Sequence, residues 1–246
     1  MEVVIAIDDT DNLESRGTGD LASEIAARVE QAGWGKSSYV TRHQLYVHQD
    51  IPYTSHNSAM CFTAEIGEEC LPALIEQAAT YLTRESAPGS DPGLCIATVA
   101  ALKDPKKLLS FGRKAKETVL TKEEAYDLAG QLGVHLSEHG GTGQGVIGAL
   151  AGVGLRLGGN DGRLKGNIDF PAVDGITTVD RLCSHPLIDS VQTTEGLVLE
   201  PGARVRVTDR LKTVLLQGQS VLLVKPADGG GIAEWQVLLK QQLKRY

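Results

Sequence analysis

The sequence opens with Val3-Val4-Ile5-Ala6-Ile7-Asp8-Asp9-Thr10-Asp11, an apolar run that ends in three carboxylates within four positions. The β-favouring residues predict a buried strand, and a strand places alternate side chains on opposite faces. We therefore expect Asp9 and Asp11 to share one face and Asp8 to lie on the other. Carboxylates this close repel one another in a dry site, so they favour a divalent cation such as Mg²⁺. The alternative is a polar turn whose Asp side chains hydrogen-bond the backbone.

An amphipathic helix is expected directly after this aspartate turn, over about residues 20–32. Its apolar residues recur at helical spacing and Gly33 would end it. The preceding Gly17-Thr18-Gly19-Asp20 then lies at a helix N-terminus, where free backbone N–H groups favour anions. Thr18 is either a capping hydroxyl or a hydroxyl held beside a bound phosphate.

A second glycine-rich stretch, Gly143-Gln144-Gly145-Val146-Ile147-Gly148, opens an apolar helix of small residues. Glycines let the backbone approach a ligand closely, and a helix start adds N–H donors. The stretch carries no lysine, so it is not a Walker A loop, and no strand is predicted before it, as a Rossmann fingerprint requires. Close packing of the helix against its neighbours explains the glycines equally well.

The charge of the chain excludes one class of protein. With 246 residues and a formal net charge of -7, the chain is not expected to coat nucleic acid by electrostatics alone. One basic run interrupts the acidic trend, and it is either a solvated helix surface or a local phosphate-contacting patch: Lys103, Lys106, Lys107, Arg113, Lys114, Lys116 and Lys122.

The cysteines and the hydropathy pattern bound the compartment. The four cysteines form no CxxC pair, which argues against a zinc ribbon. There is no signal-peptide pattern and no apolar run long enough for a membrane span. We expect a cytoplasmic protein with reduced thiols and no membrane partner.

The order of patterns predicts two regions. Strands alternate with helices over residues 1–101, which indicates an α/β (α+β) layer structure. Helices are expected over 106–117 and 121–132, and a strand over 38–42. Beyond about residue 171 strand patterns dominate, and Gln217-Gly218-Gln219 between two apolar runs indicates a hairpin. We therefore divide the chain into residues 1–170 and a small, mostly β unit over 171–246.

A polar loop between Leu45 and Ser58 carries His48, His56 and Asn57. Loops rich in side-chain donors and acceptors often contact ligands, although a single histidine is more often structural. The loop is the expected place for a substrate contact.

The aspartate turn and the glycine-rich stretch together resemble the archaeal tRNA-isoleucine agmatidine synthetase family. The first match is Ile5-Ala6-Ile7-Asp8-Asp9-Thr10-Asp11 with Gly17-Thr18 after it. Further matches follow in the same order: Ile51-Pro52-Tyr53, Asn57, Pro92-Gly93 and the stretch from Gly143 to Gly154. The resemblance covers roughly residues 1–157.

The resemblance implies a kinase-like domain with an adjoining ferredoxin-like domain. The family uses ATP to phosphorylate the C2 carbonyl of a tRNA cytidine, and agmatine then displaces the phosphate. By position, Asp8, Asp9 and Asp11 would hold Mg²⁺ and the nucleotide phosphates, and Thr18 matches a threonine that becomes phosphorylated. Gly17 and the stretch containing Gly143, Gly145 and Gly148 would belong to the ATP site, with Tyr53, His56 and Asn57 near the second substrate.

The sequence departs from the family at several positions. No OB-fold or zinc ribbon for gripping tRNA is expected in this chain. Gly19 follows Thr18 where the family has a second threonine, and His56 replaces an Arg-Gly pair in the substrate loop. The glycine-rich stretch also lacks the basic residues that precede it in the family. Nucleotide binding is thus better supported than tRNA recognition, and agmatine is supported least.

The leading hypothesis is a Mg²⁺- and ATP-dependent phosphotransferase with ligase-like chemistry. It would activate a carbonyl or hydroxyl of a nucleobase or small molecule, with an RNA or a small amine as a further partner. An arginine or lysine of the basic run would neutralise the developing charge. One alternative is a non-catalytic nucleotide- or nucleic-acid-binding module, and another is a ligand-sensing domain that binds a small amine in the 45–58 loop.

Overall fold

The computed structural model describes residues 1–51, 57–228, 231–244 and 246. The chain divides into two compact units, Met1–Gly158 and Gly159–Tyr246. This division falls twelve residues before the one drawn from the sequence at 170/171, because the strand pattern of the second unit already begins in the 160s.

The first unit contains strands and helices in alternation. Its strands are β1 (Glu2–Asp8), β2 (Gly35–Ser37), β3 (Thr41–Gln44), β4 (Ser58–Ile66), β5 (Gly93–Thr98) and β6 (His135–Glu138). Its helices are α1 (Thr18–Gln31), α2 (Leu71–Glu85), α3 (Pro105–Lys114), α4 (Lys122–Leu132) and α5 (Gly145–Gly158).

These strands form one antiparallel sheet in the order β6-β5-β1-β4-β3, with β2 also paired to β4. The order β1-α1-β3-β4-α2-β5 is the split βαβ arrangement of ferredoxin-like folds. The predicted α/β (α+β) class and its ferredoxin-like portion are confirmed.

β1 is central and divides the interior into two cores. Val3, Ile5 and Ile7 are buried on the face covered by α1 and α2. Val4 and Ala6 are buried on the opposite face, which α3, α4 and α5 cover. Side chains alternate along β1, so Asp8 lies on the same face as Val4 and Ala6. This face places Asp8 at the start of α5.

Three sequence-based expectations are corrected. The strand expected over 38–42 is interrupted, because its register with β4 shifts by one residue. Ser37 pairs with Ala64, but Thr41 pairs with Cys61, so the chain from β2 to β3 contains one residue more than the facing part of β4. The glycine-rich stretch does follow a strand, β6, which was missed because its His-Leu-Ser-Glu composition carries little β signal. The helix expected over 106–117 ends at Lys114.

The second unit is mostly β, as predicted. Its strands are β7 (Arg163–Leu164), β8 (Ile168–Asp169), β9 (Ile176–Thr178), β10 (Ser190–Thr193), β11 (Arg204–Arg206), β12 (Arg210–Leu211), β13 (Val214–Leu216), β14 (Gln219–Pro226) and β15 (Trp235–Val237), and a short helix α6 (Val179–Cys183) follows β9. The predicted hairpin is confirmed, with positive φ at Gln217 (51°) and Gly218 (76°), as its two-residue turn requires. Among the described helices of both units, none has the length and apolar character needed to cross a membrane.

Candidate functional site

A cavity of about 250 Å³ opens in the first unit where β1 ends. Its walls come from the aspartate turn, the start of α1, the start of α5, β3 and the 115–120 segment between α3 and α4. The described residues that line it include Asp8, Asp9, Asp11, Gly17, Thr18, Gly19, Arg42, Leu45, Ile51, Asn57, Ser58, Val119, Leu120, Gln144, Gly145 and Gly148.

The aspartate turn lines the cavity with all three of its carboxylates. Opposite faces were expected for Asp8 and the other two, but β1 ends at Asp8 and strand alternation stops there. Asp9 adopts a left-handed backbone conformation (φ 52°), which Asp and Asn tolerate better than most residues. The regular strand thus ends before Asp9, and Asp8, Asp9 and Asp11 all line the same cavity.

The electrostatics of the turn are unfavourable to negative charge. Burial raises the pKa of Asp8 to about 8, and the neighbouring charges of Asp9 and Asp11 contribute to the rise. Burial also raises the pKa of Asp9 to about 6, with further contributions from Asp91 and Asp11. Groups whose charged forms are this strongly disfavoured attract a cation or a set of hydrogen-bond donors.

The expected three-carboxylate metal cluster is not formed. Within the described part of the chain, no three His, Cys, Asp or Glu side chains are grouped so that they could hold a metal ion. The reason is that Asp8 is pressed against Gly148, whereas Asp11 accepts a hydrogen bond from the Thr18 hydroxyl at 3.3 Å. The donor set still suits Mg²⁺, which takes one or two carboxylates and completes its shell with water and phosphate oxygens.

Thr18 is the first residue of α1, and its hydroxyl does not cap the helix. Gly17 occupies the N-cap position with extended backbone and provides no side-chain cap. Thr18 is buried, with 6% of the residue exposed, and its hydroxyl accepts a hydrogen bond from the Thr10 hydroxyl at 3.1 Å and donates to Asp11. Of the two interpretations of Thr18, the capping one is therefore not observed.

The glycines of α5 allow close packing at the cavity floor. A Cβ atom added at Gly148 would overlap the Asp8 carboxylate, and one at Gly145 would lie 2.9 Å from the Asp8 carbonyl oxygen. Gly145 and Gly148 line the cavity, whereas Gly143 lies between Glu138 and Lys122. The Gly145 N–H donates to the Asp91 carbonyl at 3.0 Å, so this donor of the helix start is already used.

Arg42 supplies a cation to the cavity wall, and sequence reasoning missed it. Its guanidinium donates to the Ser58 hydroxyl at 2.9 Å and to Gln44 Oε1 at 3.3 Å. An arginine near the end of a predicted strand is visible in the sequence, but its proximity to the aspartate turn depends on the pairing of β3 with β4.

The basic run was expected to provide this cation, but none of its residues is among those that line the described cavity. The run's side chains lie outside the cavity lining, because Leu108 and Phe111 turn the apolar face of α3 inward. Two of its lysines form ion pairs elsewhere, Lys114 with Glu124 and Lys122 with Glu138. Uncharged residues of the adjoining segment, Val119 and Leu120, contact the cavity instead.

The predicted substrate loop is described only in part. Tyr53 and His56 lie outside the described residues. Asn57 lines the cavity, and its side chain donates to the Tyr46 carbonyl at 2.6 Å, while its carbonyl accepts from Leu45 at 2.9 Å. Asn57 thus fixes the base of the loop as well as contributing to the wall.

Comparison of the sequence with known proteins gives one relative of unknown function. No protein-family model matches the chain. An uncharacterized protein of Methanocaldococcus jannaschii is 29% identical over 157 residues, which is 63% of this chain and 50% of that protein. The chain thus spans about half the length of the curated relative that it matches.

Solved structures share the fold of this chain over most of its length. A tRNA fluorescent labeling enzyme is 29% identical with a TM-score of 0.54, over 63% of this chain and 36% of its own. Apo TiaS, a tRNA-isoleucine agmatidine synthetase, is 27% identical with a TM-score of 0.54, over 63% and 35%. A complex of TiaS with its isoleucine tRNA and ATP shares the fold over 82% and 50%, with 24% identity and a TM-score of 0.57. The resemblance to part of the agmatidine synthetase, first seen in the aspartate turn and the glycine-rich stretch, is confirmed.

Proposed function

We propose that this chain is a cytoplasmic, ATP-using phosphotransferase of the tRNA-modification type, with nucleotide chemistry carried by residues 1–170. The observation that carries the proposal is the meeting of the aspartate turn, the start of α1 and Arg42 around one cavity. Phosphoryl transfer needs fixed phosphates, charge neutralisation and an aligned acceptor more than covalent help from the protein.

The nucleotide phosphates bind between α1 and Arg42. Gly17 leaves the first turn of α1 without a side-chain cap, and the positive end of a helix dipole favours a phosphate there. The Arg42 guanidinium, held by Ser58 and Gln44, neutralises charge on the opposite wall. Asp9 and Asp11, with Asp8 behind them, would hold Mg²⁺. When bound, this ion offsets the negative charge of phosphates and carboxylates.

Thr18 is the first acceptor that the geometry supports. Its hydroxyl donates to the Asp11 carboxylate, which can accept the proton when the Thr18 oxygen attacks the terminal phosphorus. The new bond joins Thr18 Oγ1 to that phosphorus, and the bond to the bridging oxygen of ADP breaks. The resemblance implies the same residue, because a threonine at this position becomes phosphorylated in the family.

The remaining part of the cavity suits a base or another flat, partly apolar group. Leu45, Ile51, Val119 and Leu120 line it, and Asn57 and Ser58 supply polar contacts. Pockets that combine apolar walls with a few fixed polar groups are typical of small-molecule sites. Since TiaS has been solved with its tRNA, an ATP analogue and agmatine, we propose an RNA nucleobase or a small molecule as the final acceptor and an amine as the second substrate.

A non-catalytic nucleotide-binding module is the second candidate. The observation that favours it is that no three His, Cys, Asp or Glu side chains of the described residues are grouped so that they could hold a metal ion, because a protein that binds nucleotide without turnover does not need such a group. The two candidates differ in whether the terminal phosphate is transferred after binding.

A thermal-shift titration with Mg·ATP tests both candidates at their shared step. The wild-type protein is expected to gain about 2.7 kcal/mol of stability at a hundred times the dissociation constant. An Asp9→Asn/Asp11→Asn variant should lose most of this gain, since asparagine keeps the left-handed turn but removes the charges. Asp127→Asn, on the exposed face of α4, is the matched control and should respond as the wild type does.

The outcomes separate the candidates. A wild-type shift followed by ATP-dependent addition of one phosphate to Thr18, seen by mass spectrometry, supports the phosphotransferase. A shift without phosphate transfer or ATP hydrolysis supports the binding module. If millimolar Mg·ATP produces no shift while a small amine does, the ligand-sensing alternative replaces both.

A further inference from the structure

The glycine-rich loop, residues 139–144 between β6 and α5, is held from two sides at Thr142. On one side Asp91 accepts a hydrogen bond from the Thr142 hydroxyl at 2.7 Å and another from the Thr142 backbone N–H. On the other side Lys122 Nζ donates to the Thr142 carbonyl at 2.6 Å and to Glu138 Oε2 at 2.7 Å. Every polar group of Thr142 is therefore bound, although the residue is exposed.

The main chain of Asp91 extends these contacts to the floor of the cavity. Its carbonyl accepts from the Gly145 N–H at 3.0 Å, at the first residue of α5. Gly145 in turn packs against the aspartate turn, since a Cβ atom added there would lie 2.9 Å from the Asp8 carbonyl oxygen. One residue of the linker between α2 and β5 thus holds both Thr142 and the start of α5, which packs against the aspartate turn.

The loop is shaped around the Asp91 carboxylate. Gly141 has a positive φ of 58°, and a Cβ atom added there would overlap Asp91 Oδ1. Only glycine can approach the carboxylate this closely with that backbone conformation. Gln144 and Gly145, two and three residues after Thr142, line the cavity, so a displacement of the loop moves a cavity wall.

We infer that Asp91 is a positioning residue of the nucleotide site, which holds the glycine-rich loop against the aspartate turn through Thr142. This inference rests on the proposed function for its ligand. Asp91 is not among the described residues that line the cavity, and both of its oxygens already accept hydrogen bonds from Thr142. Asp91 therefore acts through the loop. A loop that is already fixed loses less conformational entropy when the nucleotide phosphates bind.

The test compares two pairs of variants in calorimetric titrations of the whole chain with ATP, ADP, AMP and adenosine, all with Mg²⁺. Thr142→Ser keeps the hydroxyl and Thr142→Val removes it at nearly the same size. We expect Thr142→Ser to bind ATP within about twofold of wild type. Thr142→Val and Asp91→Ala should bind ATP about tenfold more weakly, the change expected for one lost hydrogen bond to a charged group. The loss should be largest for ATP and smallest for adenosine.

Equal ATP affinity in Thr142→Val and Thr142→Ser would overturn the inference, and so would an equal loss for adenosine and ATP in Asp91→Ala. If the wild type itself binds none of the four nucleotides, the proposed function fails instead. The positioning role is then decided without a ligand by the Thr142 amide proton in NMR spectra. Its resonance should move upfield in Asp91→Ala, which removes the acceptor of that amide, and an unchanged resonance in Asp91→Ala contradicts the role.

Discussion

Replacing Asp8 with asparagine is expected to raise the melting temperature of the ligand-free protein at pH 8 and to abolish its stabilisation by Mg·ATP. Asp8 is 8% exposed, and burial raises its pKa from 3.8 to about 8. Asparagine has the same shape but stays neutral, so it avoids the cost of a buried charge. We expect Asp8→Asn to raise the free energy of unfolding by about 1–3 kcal/mol. For a chain of this size that corresponds to a rise of roughly 3–9 °C.

The same pKa fixes the pH dependence. Between about pH 4 and pH 8 the folded protein keeps a proton on Asp8 that the unfolded chain releases. The resulting stabilisation is complete below pH 4 and is lost as the pH rises through 8. The advantage of Asp8→Asn should therefore be large at pH 8, smaller at pH 5 and almost absent below pH 4. A variant that is less stable than wild type at pH 8 would contradict this account of the carboxylate.

The combination of higher stability and lost ligand response is the informative outcome. If Asp8 served only to stabilise the fold, its carboxylate would not lower the stability of the wild-type protein. Functional sites, in contrast, often retain destabilising groups. Asp127→Asn, exposed on α4, should change neither property.

The second large effect is expected from Gly148→Ala. The new methyl group would overlap Asp8 Oδ2 and lie 3.1 Å from Asp8 Cβ, and the buried aspartate has little room to move. We expect a loss of about 1–3 kcal/mol, typical of overpacking in a core, together with a displaced start of α5 and weaker Mg·ATP binding. Chemical denaturation and the thermal-shift titration measure the two effects.

Gly130→Ala is the matched control, because it makes the same change in a helix where no atom lies within 4 Å of the added Cβ. There alanine should stabilise the protein by about 0.5–1 kcal/mol through helix propensity. Combining Gly148→Ala with Asp8→Ala removes the carboxylate that the methyl group meets, so the two changes should be far from additive. Additive effects would show that the overlap with Asp8 is not the cause.

Sequence patterns predicted the elements that depend on local signals. The apolar run of β1, its carboxylate ending and the helix after Gly17 each combine a burial pattern with a chain-turning residue within a short window. The small residues of α5 similarly indicated close packing, and Gly145 and Gly148 do approach Asp8.

The features that were missed depend on contacts between distant parts of the chain. Arg42 lines the same cavity as the aspartate turn because β3 pairs with β4, and Asp91 meets Thr142 across 51 residues of sequence. Asp9 has a left-handed backbone conformation, and no periodicity reveals a single left-handed residue. Local sequence patterns thus located the aspartate turn. The side chains that line the cavity with it are determined by the order of the strands in the sheet.

The central position of β1 has a consequence for how the site opens. β1 is hydrogen-bonded to β4 on one side and β5 on the other, and both of its faces are buried. Amide hydrogens of Val3–Ile7 should therefore exchange with solvent only when the first unit unfolds as a whole, whereas those of the exposed rim near Val47 and Asp50 should exchange through local fluctuations. Ligand can enter and leave through the rim while the strand that carries the aspartates is among the last parts of the unit to unfold.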